Sequence, residues 1–288
     1  MRQFSNFVAI DWSGAKTPCQ KGIAVAVCGQ GDAAPVVIRP AEGWSRESVL
    51  EWLKSEAPSN ALIGLDLSPS LPFGTSGFFP GWDRSPGTAK ELWRLVDEIC
   101  ADDPHLSVTS FVTHPEARRH FRHAKGDCGD MFEGGVGRLR ETERRQSAMD
   151  TSPSSCFNLI GAAQVGKSSL TGMRVLNRLA TKYPVWPFDD IPETGSLIVE
   201  IYTSLAARAG RIRKGLAKMR SWEELDTALT HPDIASQPTR KQGRVDDHTT
   251  DAILTAAWLR TVAHDPALWN PAGLDAARHT EGWTFGVV

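Results

Sequence analysis

With 288 residues, 41% of them hydrophobic, and a formal charge of −2, the chain can bury a full core and shows no global sign of a nucleic-acid partner, so any anionic partner must be met by a local patch. Five cysteines (Cys19, Cys28, Cys100, Cys128, Cys156) are odd in number and lack metal-ribbon spacing, which implies no disulfide framework and favours reduced thiols in a cytoplasm. No run approaches the ~20 apolar residues of a membrane span, and no basic segment followed by a long apolar stretch opens the chain, so a soluble cytoplasmic protein with no membrane contact is expected.

The first element, Phe7-Val8-Ala9-Ile10-Asp11, is a short apolar run that ends in an acid and passes into Trp12-Ser13-Gly14-Ala15. That pattern predicts a buried central strand delivering one carboxylate to the carboxyl edge of a sheet. Isolated burial of the charge would be strongly unfavourable, so Asp11 predicts an open edge, several hydrogen bonds or a cation. Residues 21–28 and 34–38 read as two further strands around the turn Gly29-Gln30-Gly31-Asp32, making an antiparallel meander. Ser45 caps a helix through Val49, Leu50, Trp52 and Leu53, which leads to the apolar strand 61–65 and its terminal Asp66. Strands one and four bring two acidic ends together only if they lie side by side and parallel, as a right-handed helical crossover allows. Three strands, helix and strand, with acids on the first and fourth strands, resemble the opening of the RNase H fold.

From 68 to about 155 the regular pattern lapses into an insertion. A proline- and glycine-rich loop runs to Gly87, and 88–100 predicts a helix with Leu92, Trp93, Leu95 and Val96 on its apolar side. The stretch from His114 to Arg145 is rich in basic residues that could track a nucleic-acid backbone, with Phe121 available for stacking. Its acids, among them Glu116, Asp130 and Glu141, dilute that signal toward an ordinary solvated face. Metal binding by His114, His120, His123 and Cys128 matches no standard spacing.

Residues 156–160 predict another short strand, 167–180 a helix, 185–189 a short extended piece, and 197–201 a strand that carries Glu200. A helical stretch from 205 to 220 follows, then a helix opened by Ser221 and Trp222, and a last strong helix from Asp247 to about Val262. The whole reads as one α/β domain over 1–288: a mixed sheet of three-strand meander, helix and parallel strands, flanked by helices and interrupted by the helical and loop insertion.

In the last helix Asp247 and Asp251 are four apart and share a face with Leu254 and Trp258, while Ala252, Ala256 and Ala257 let it lie close to a sheet. Close approach would bring both acids to Asp11. Acids that end or interrupt apolar strands, gathered in this way, suggest a divalent-metal site. Asp246 and Asp247 also sit where an N-cap belongs, which by itself would account for Asp247. His248 either lines such a site or lies at the surface of the helix start.

The set Val8-Ala9-Ile10-Asp11-Trp12-Ser13-Gly14, Gly64-Leu65-Asp66-Leu67-Ser68, Val185-Trp186-Pro187-Phe188-Asp189, Val199-Glu200-Ile201-Tyr202 and Asp247-His248-Thr249-Thr250-Asp251-Ala252 resembles domain-of-unknown-function family 429. That family is described as predicted nucleases of RNase H fold, related to the Holliday-junction resolvases. The resemblance implies that Asp11 is the first-strand acid, Asp66 the fourth-strand acid where resolvases more often have glutamate, and Asp251, joined by Asp247, the last-helix acid. Glu200 fits the family pattern as a further catalytic acid. Asp11, Asp66 and Asp251 would bind Mg2+ or Mn2+, two ions ~4 Å apart, for in-line hydrolysis of a phosphodiester in DNA or RNA.

Two other readings stay open. Residues 161–168, Gly-Ala-Ala-Gln-Val-Gly-Lys-Ser, match the P-loop pattern literally and would put Lys167 on a phosphate, and Asp11-Trp12-Ser13-Gly14 faintly resembles the phosphate loop of the actin-like ATPases and sugar kinases, so a nucleotide-binding phosphotransferase or ATPase of related core or P-loop type is the alternative. The chain could also be a non-catalytic nucleic-acid-binding protein on an inherited core. Neither Ser13 nor Ser68 has a clear histidine and acid partner in the sequence, so a serine-hydrolase triad is weakly indicated.

Overall fold

A computed structural model describes residues 2–149, 151–160, 165–212 and 218–288. Its main sheet has five strands: β1 (Asn6–Asp11), β2 (Ala24–Gly29), β3 (Val36–Ile38), β4 (Ala61–Asp66) and, across the insertion, Leu197–Glu200. β1, β2 and β3 form the antiparallel meander, and β4 lies parallel to β1 with α1 (Arg46–Ser55) as the crossover between them. The predicted mixed α/β arrangement is present. β2 starts three residues later than expected because Lys21 and Gly22 form a turn, and β3 starts after Pro35, which has no N–H for a ladder.

The insertion carries α2 (Ala89–Ile99), α3 (Thr109–Thr113), a small hairpin of β5 (Arg122–Ala124) and β6 (Asp127–Cys128), and α4 (Glu141–Ala148). Then come α5 (Val165–Leu179), β7 (Leu197–Glu200), α6 (Thr203–Ala209), α7 (Trp222–Leu229), α8 (Asp247–Val262), α9 (Pro266–Trp269) and α10 (Leu274–Ala277). The sheet order is β3-β2-β1-β4-β7, with β7 parallel to β4. Ser45, Thr88 and Ser221 each close a capping box at the start of α1, α2 and α7, each cap contributing about 1 kcal/mol.

Alternation along the strands divides the core in two. Val8, Ile10, Ile63, Leu65 and Ile198 pack under α1, α2 and α5. Phe7, Ala9, Leu62, Val199 and Ile201 face α6, α7 and α8. Small residues let α8 come close: Ala252, Ala256 and Ala257 are fully buried, and a Cβ on Gly64 would fall 2.6 Å from Ile201 and 2.9 Å from Leu259. Among the described residues no helix is long and apolar enough to cross a membrane.

Four expectations are corrected. Residues 185–189 are no extended piece: Val185 alone bridges to Ile198, and the chain then turns so that the Asp189 N–H donates to the Val185 carbonyl at 2.9 Å. Residues 156–160 form no strand; one bridge joins Asn158 to Arg122, and the run is apolar because Cys156, Phe157 and Leu159 pack into the core. The stretch 205–220 is no single helix: α6 ends at Ala209, Gly210 caps it, Arg211 takes a left-handed conformation with φ +59°, and 213–217 lie outside the described residues. Phe121 is not available for stacking. It is fully buried against Phe111 and Phe157, where aromatic burial outweighs exposure.

Candidate functional site

Asp11 and Asp66 are register partners at the carboxyl ends of β1 and β4. Both follow the strand parity of Phe7, Ala9 and Leu62, so both face α8, and Asp251 comes to them from the second turn of that helix. The three acids act on one another. Burial raises Asp66 well above the usual carboxylate range, and the charges of Asp11 and Asp251 raise it further. Asp251 is pushed up to about 7 by burial, then by Asp11 and Asp247. Asp66 is held by the backbone N–H of Thr203, whose hydroxyl lies 3.5 Å from Oδ2. Neither Asp66 nor Asp251 has an ion pair with any other described residue.

Asp11 differs from these two because His248 Nδ1 lies 2.7 Å from its Oδ2. That hydrogen bond is the main cause that pushes His248 up to about 9, so at neutral pH the proton is on the imidazole and the pair is ionic. Burial lifts Asp11 while His248 pulls it down. The helix start is fixed by Asp246, the N-cap, which accepts from the Thr249 N–H at 2.8 Å. Asp247 is therefore not the cap. Lys218 hydrogen-bonds it and, as the main cause, lowers its pKa, leaving it on the rim.

Glu200 falls on the other face. It pairs in register with Leu65, one residue before Asp66, and so points away from α8. There both of its oxygens are taken by Arg140, at 2.6 Å and 2.9 Å, with a third bond from Thr284 at 2.8 Å. The fully buried Arg140 also bonds Glu143 at 2.9 Å and Ser68 at 3.0 Å. Glu200 thus ties the insertion to β7. Arg140 was invisible as a site residue in the sequence, and His248 was named there only as one of two alternatives, since each depends on a contact between remote segments.

A cleft of about 470 Å3 opens along this edge, lined among others by Ser13, Gly14, Asp66, Arg140, Ser168 and His248. Lys167 sits in the first turn of α5 on its flank. Of the P-loop-like string, 161–164 lie outside the described residues, and the strand that should precede such a loop is missing because 156–160 is not one. Ser13 is brought near His248: each has an atom 3.3 Å from the position a Cβ on Gly22 would take. No hydrogen bond joins them among the described residues, and a protonated His248 cannot serve as the base of a triad.

Part of the basic insertion is neutralised within itself, while Arg118, Arg122 and Lys125 have no ion pair with any described residue. Arg119 bonds Asp130 and Glu116, Arg145 bonds Glu141, and Arg138 donates to the carbonyls of Gly77 and Phe78. His120 is buried between Phe79 and Phe157, and burial lowers it to about 4, while His114 stacks on Trp82. The histidines and Cys128 form no metal site there.

Carboxylate oxygens are the donors that Mg2+ and Mn2+ prefer, and the repulsion among Asp11, Asp66 and Asp251, which His248 offsets at Asp11 alone, is what a divalent cation would relieve. As the side chains stand, no group of three or more His, Cys, Asp and Glu among the described residues is arranged to hold a metal ion. The donor chemistry and charge fit such an ion, and the carboxylates would have to rotate to close on it. No protein-family model, curated protein or solved structure matches this chain.

Proposed function

We propose that the cleft hydrolyses phosphodiester bonds in a nucleic acid with the help of a divalent metal ion, on an RNase H-like core. The observation that carries the reading is the meeting of Asp11, Asp66 and Asp251 at one sheet edge, with Asp66 and Asp251 in no ion pair with another described residue. Strand order supports it, because antiparallel β1–β3 followed by parallel β4 and β7 is the arrangement expected of that core.

Asp11, Asp66 and Asp251 would hold Mg2+ or Mn2+, which supplies an activated water and charge stabilisation for the displaced oxygen. The protein supplies the rest. Asp11 orients His248 through Nδ1, leaving Nε2–H as a donor for a phosphate or leaving-group oxygen in the cleft. Arg140 and Glu200 hold the floor rigid. Asp247 and Lys218 shape the rim.

The test is hydrolysis of DNA and RNA, single- and double-stranded, with Mg2+ or Mn2+, by wild type and Asp66→Asn. Cleavage by the wild type and its loss in a folded variant are expected. Equal cleavage by both proteins would refute the assignment.

A further inference from the structure

On the side of the cleft away from α8, positive charge collects on Lys16, Lys167 and Arg46. Gly14 lies directly against the start of α5: a Cβ there would fall 2.5 Å from the Ser168 nitrogen and 2.8 Å from the Lys167 Cβ. That approach brings Lys16, two residues on, into one small recess with Lys167. Neither lysine has an ion pair with any described residue. Burial lowers Lys167, and the charge of Lys16 lowers it further, as expected of neighbouring ammonium groups.

Beneath them, Arg46 is fully buried and donates to the backbone carbonyls of Ser13, Ala15 and His105, with no carboxylate partner among the described residues. Glu47, its sequence neighbour, faces His105 instead at 3.5 Å. Three cations therefore converge on the loop 13–16, whose residues Ser13 and Gly14 wall the cleft.

We propose that Lys16 and Lys167 form a subsite for a phosphate of a nucleic-acid strand next to the one at Asp11, Asp66 and Asp251, with Arg46 positioning the loop. The subsite rests on the phosphodiester reading and deepens it: the substrate is an internal linkage of a polyanionic strand, not a small phosphomonoester. Lys16 and Lys167, in no ion pair with a described residue, give up none of those partners when a phosphate binds, and they release counterions from the strand. Within the basic insertion Arg119, Arg138, Arg140, Arg144 and Arg145 are already paired with acids, which leaves this loop and helix as a source of unpaired charge beside the cleft.

The test measures anisotropy of a labelled DNA strand, DNA duplex and RNA strand with the full chain in EDTA, between about 50 and 200 mM salt. Expected is binding by the wild type to at least one probe, the three probes telling DNA from RNA. The Lys16→Ala/Lys167→Ala double variant, which gives up one phosphate contact, should reduce the slope of log K against log salt by about 0.7 on a single strand or 0.9 on a duplex. Lys16→Arg/Lys167→Arg should restore it. Turnover of bis(p-nitrophenyl) phosphate, which has one phosphate and no neighbour, should be unchanged in the alanine double variant. If that variant does not fold, Lys16→Gln/Lys167→Gln takes its place.

An unchanged slope, no binding of any strand by the wild type, or binding of MgATP alone, lost in Lys167→Ala, overturns the subsite. Strand binding with the expected slopes but no cleavage in Mg2+ or Mn2+ upholds the subsite and refutes the nuclease reading. Cleavage with an unaltered slope does the reverse.

Discussion

His248 and Asp11, 237 positions apart, are joined by a 2.7 Å contact between Nδ1 and Oδ2 that fixes the imidazole at the mouth of the carboxylate cleft. The contact does two things at once. It satisfies one oxygen of a buried acid, and it keeps the histidine protonated at neutral pH.

His248→Gln keeps a donor but not a mobile proton. If His248 protonates the leaving oxygen, kcat on a nucleic-acid substrate should fall by about 10²-fold or more with little change in KM. An unaltered kcat in the folded variant would assign His248 to holding Asp11 alone.

Asp66→Asn removes a carboxyl whose charged form is disfavoured first by burial and then by Asp11 and Asp251. In EDTA at neutral pH the variant should melt higher than the wild type, by about 2–4 °C for each kcal/mol gained. Mg2+ should raise the Tm of the wild type and not that of the variant. Differential scanning fluorimetry reads both, and a variant that melts lower without metal contradicts the repulsion.

Glu200→Ala should act on stability instead. It leaves the buried Arg140 without its bidentate partner, at a cost of about 3–5 kcal/mol in urea unfolding. Asp66→Asn and Glu200→Ala thus separate the two roles: the first should lose metal response, the second the fold. A small urea effect for Glu200→Ala would mean that Glu143 alone suffices to hold Arg140.

His120 provides the pH test. Its folded pKa is lowered to about 4, chiefly by burial, against an ordinary value of 6.5. Between those values the unfolded chain binds more protons, so this histidine's contribution is fully present above pH 6.5 and is lost as pH falls toward 4. His120→Phe, which keeps an aromatic ring between Phe79 and Phe157, should flatten the stability profile in that window. An identical profile for variant and wild type would place the acid sensitivity elsewhere.

The topology was legible because it follows from local pattern and chain connectivity. Two apolar strands ending in Asp11 and Asp66, separated by a hairpin pair and one helix, pack side by side in few ways. Glu200 was half legible. Its strand was recognised, but its side depends on register with β4, and a shift of one residue sends a side chain to the opposite face. The apolar run 156–160 misled for a related reason: burial makes a segment apolar whether or not it has a neighbouring strand to bond.

By itself the sequence determined the mixed α/β class, the antiparallel meander and the adjacency of Asp11 and Asp66, since these need only periodicity, turns and the handedness of one crossover. Tertiary structure alone decided that Arg140 neutralises Glu200, that His248 reaches Asp11, and that Lys16 and Lys167 meet at Gly14. Charge pairing between remote side chains depends on ångström-scale distances, and spacing along a chain does not carry them.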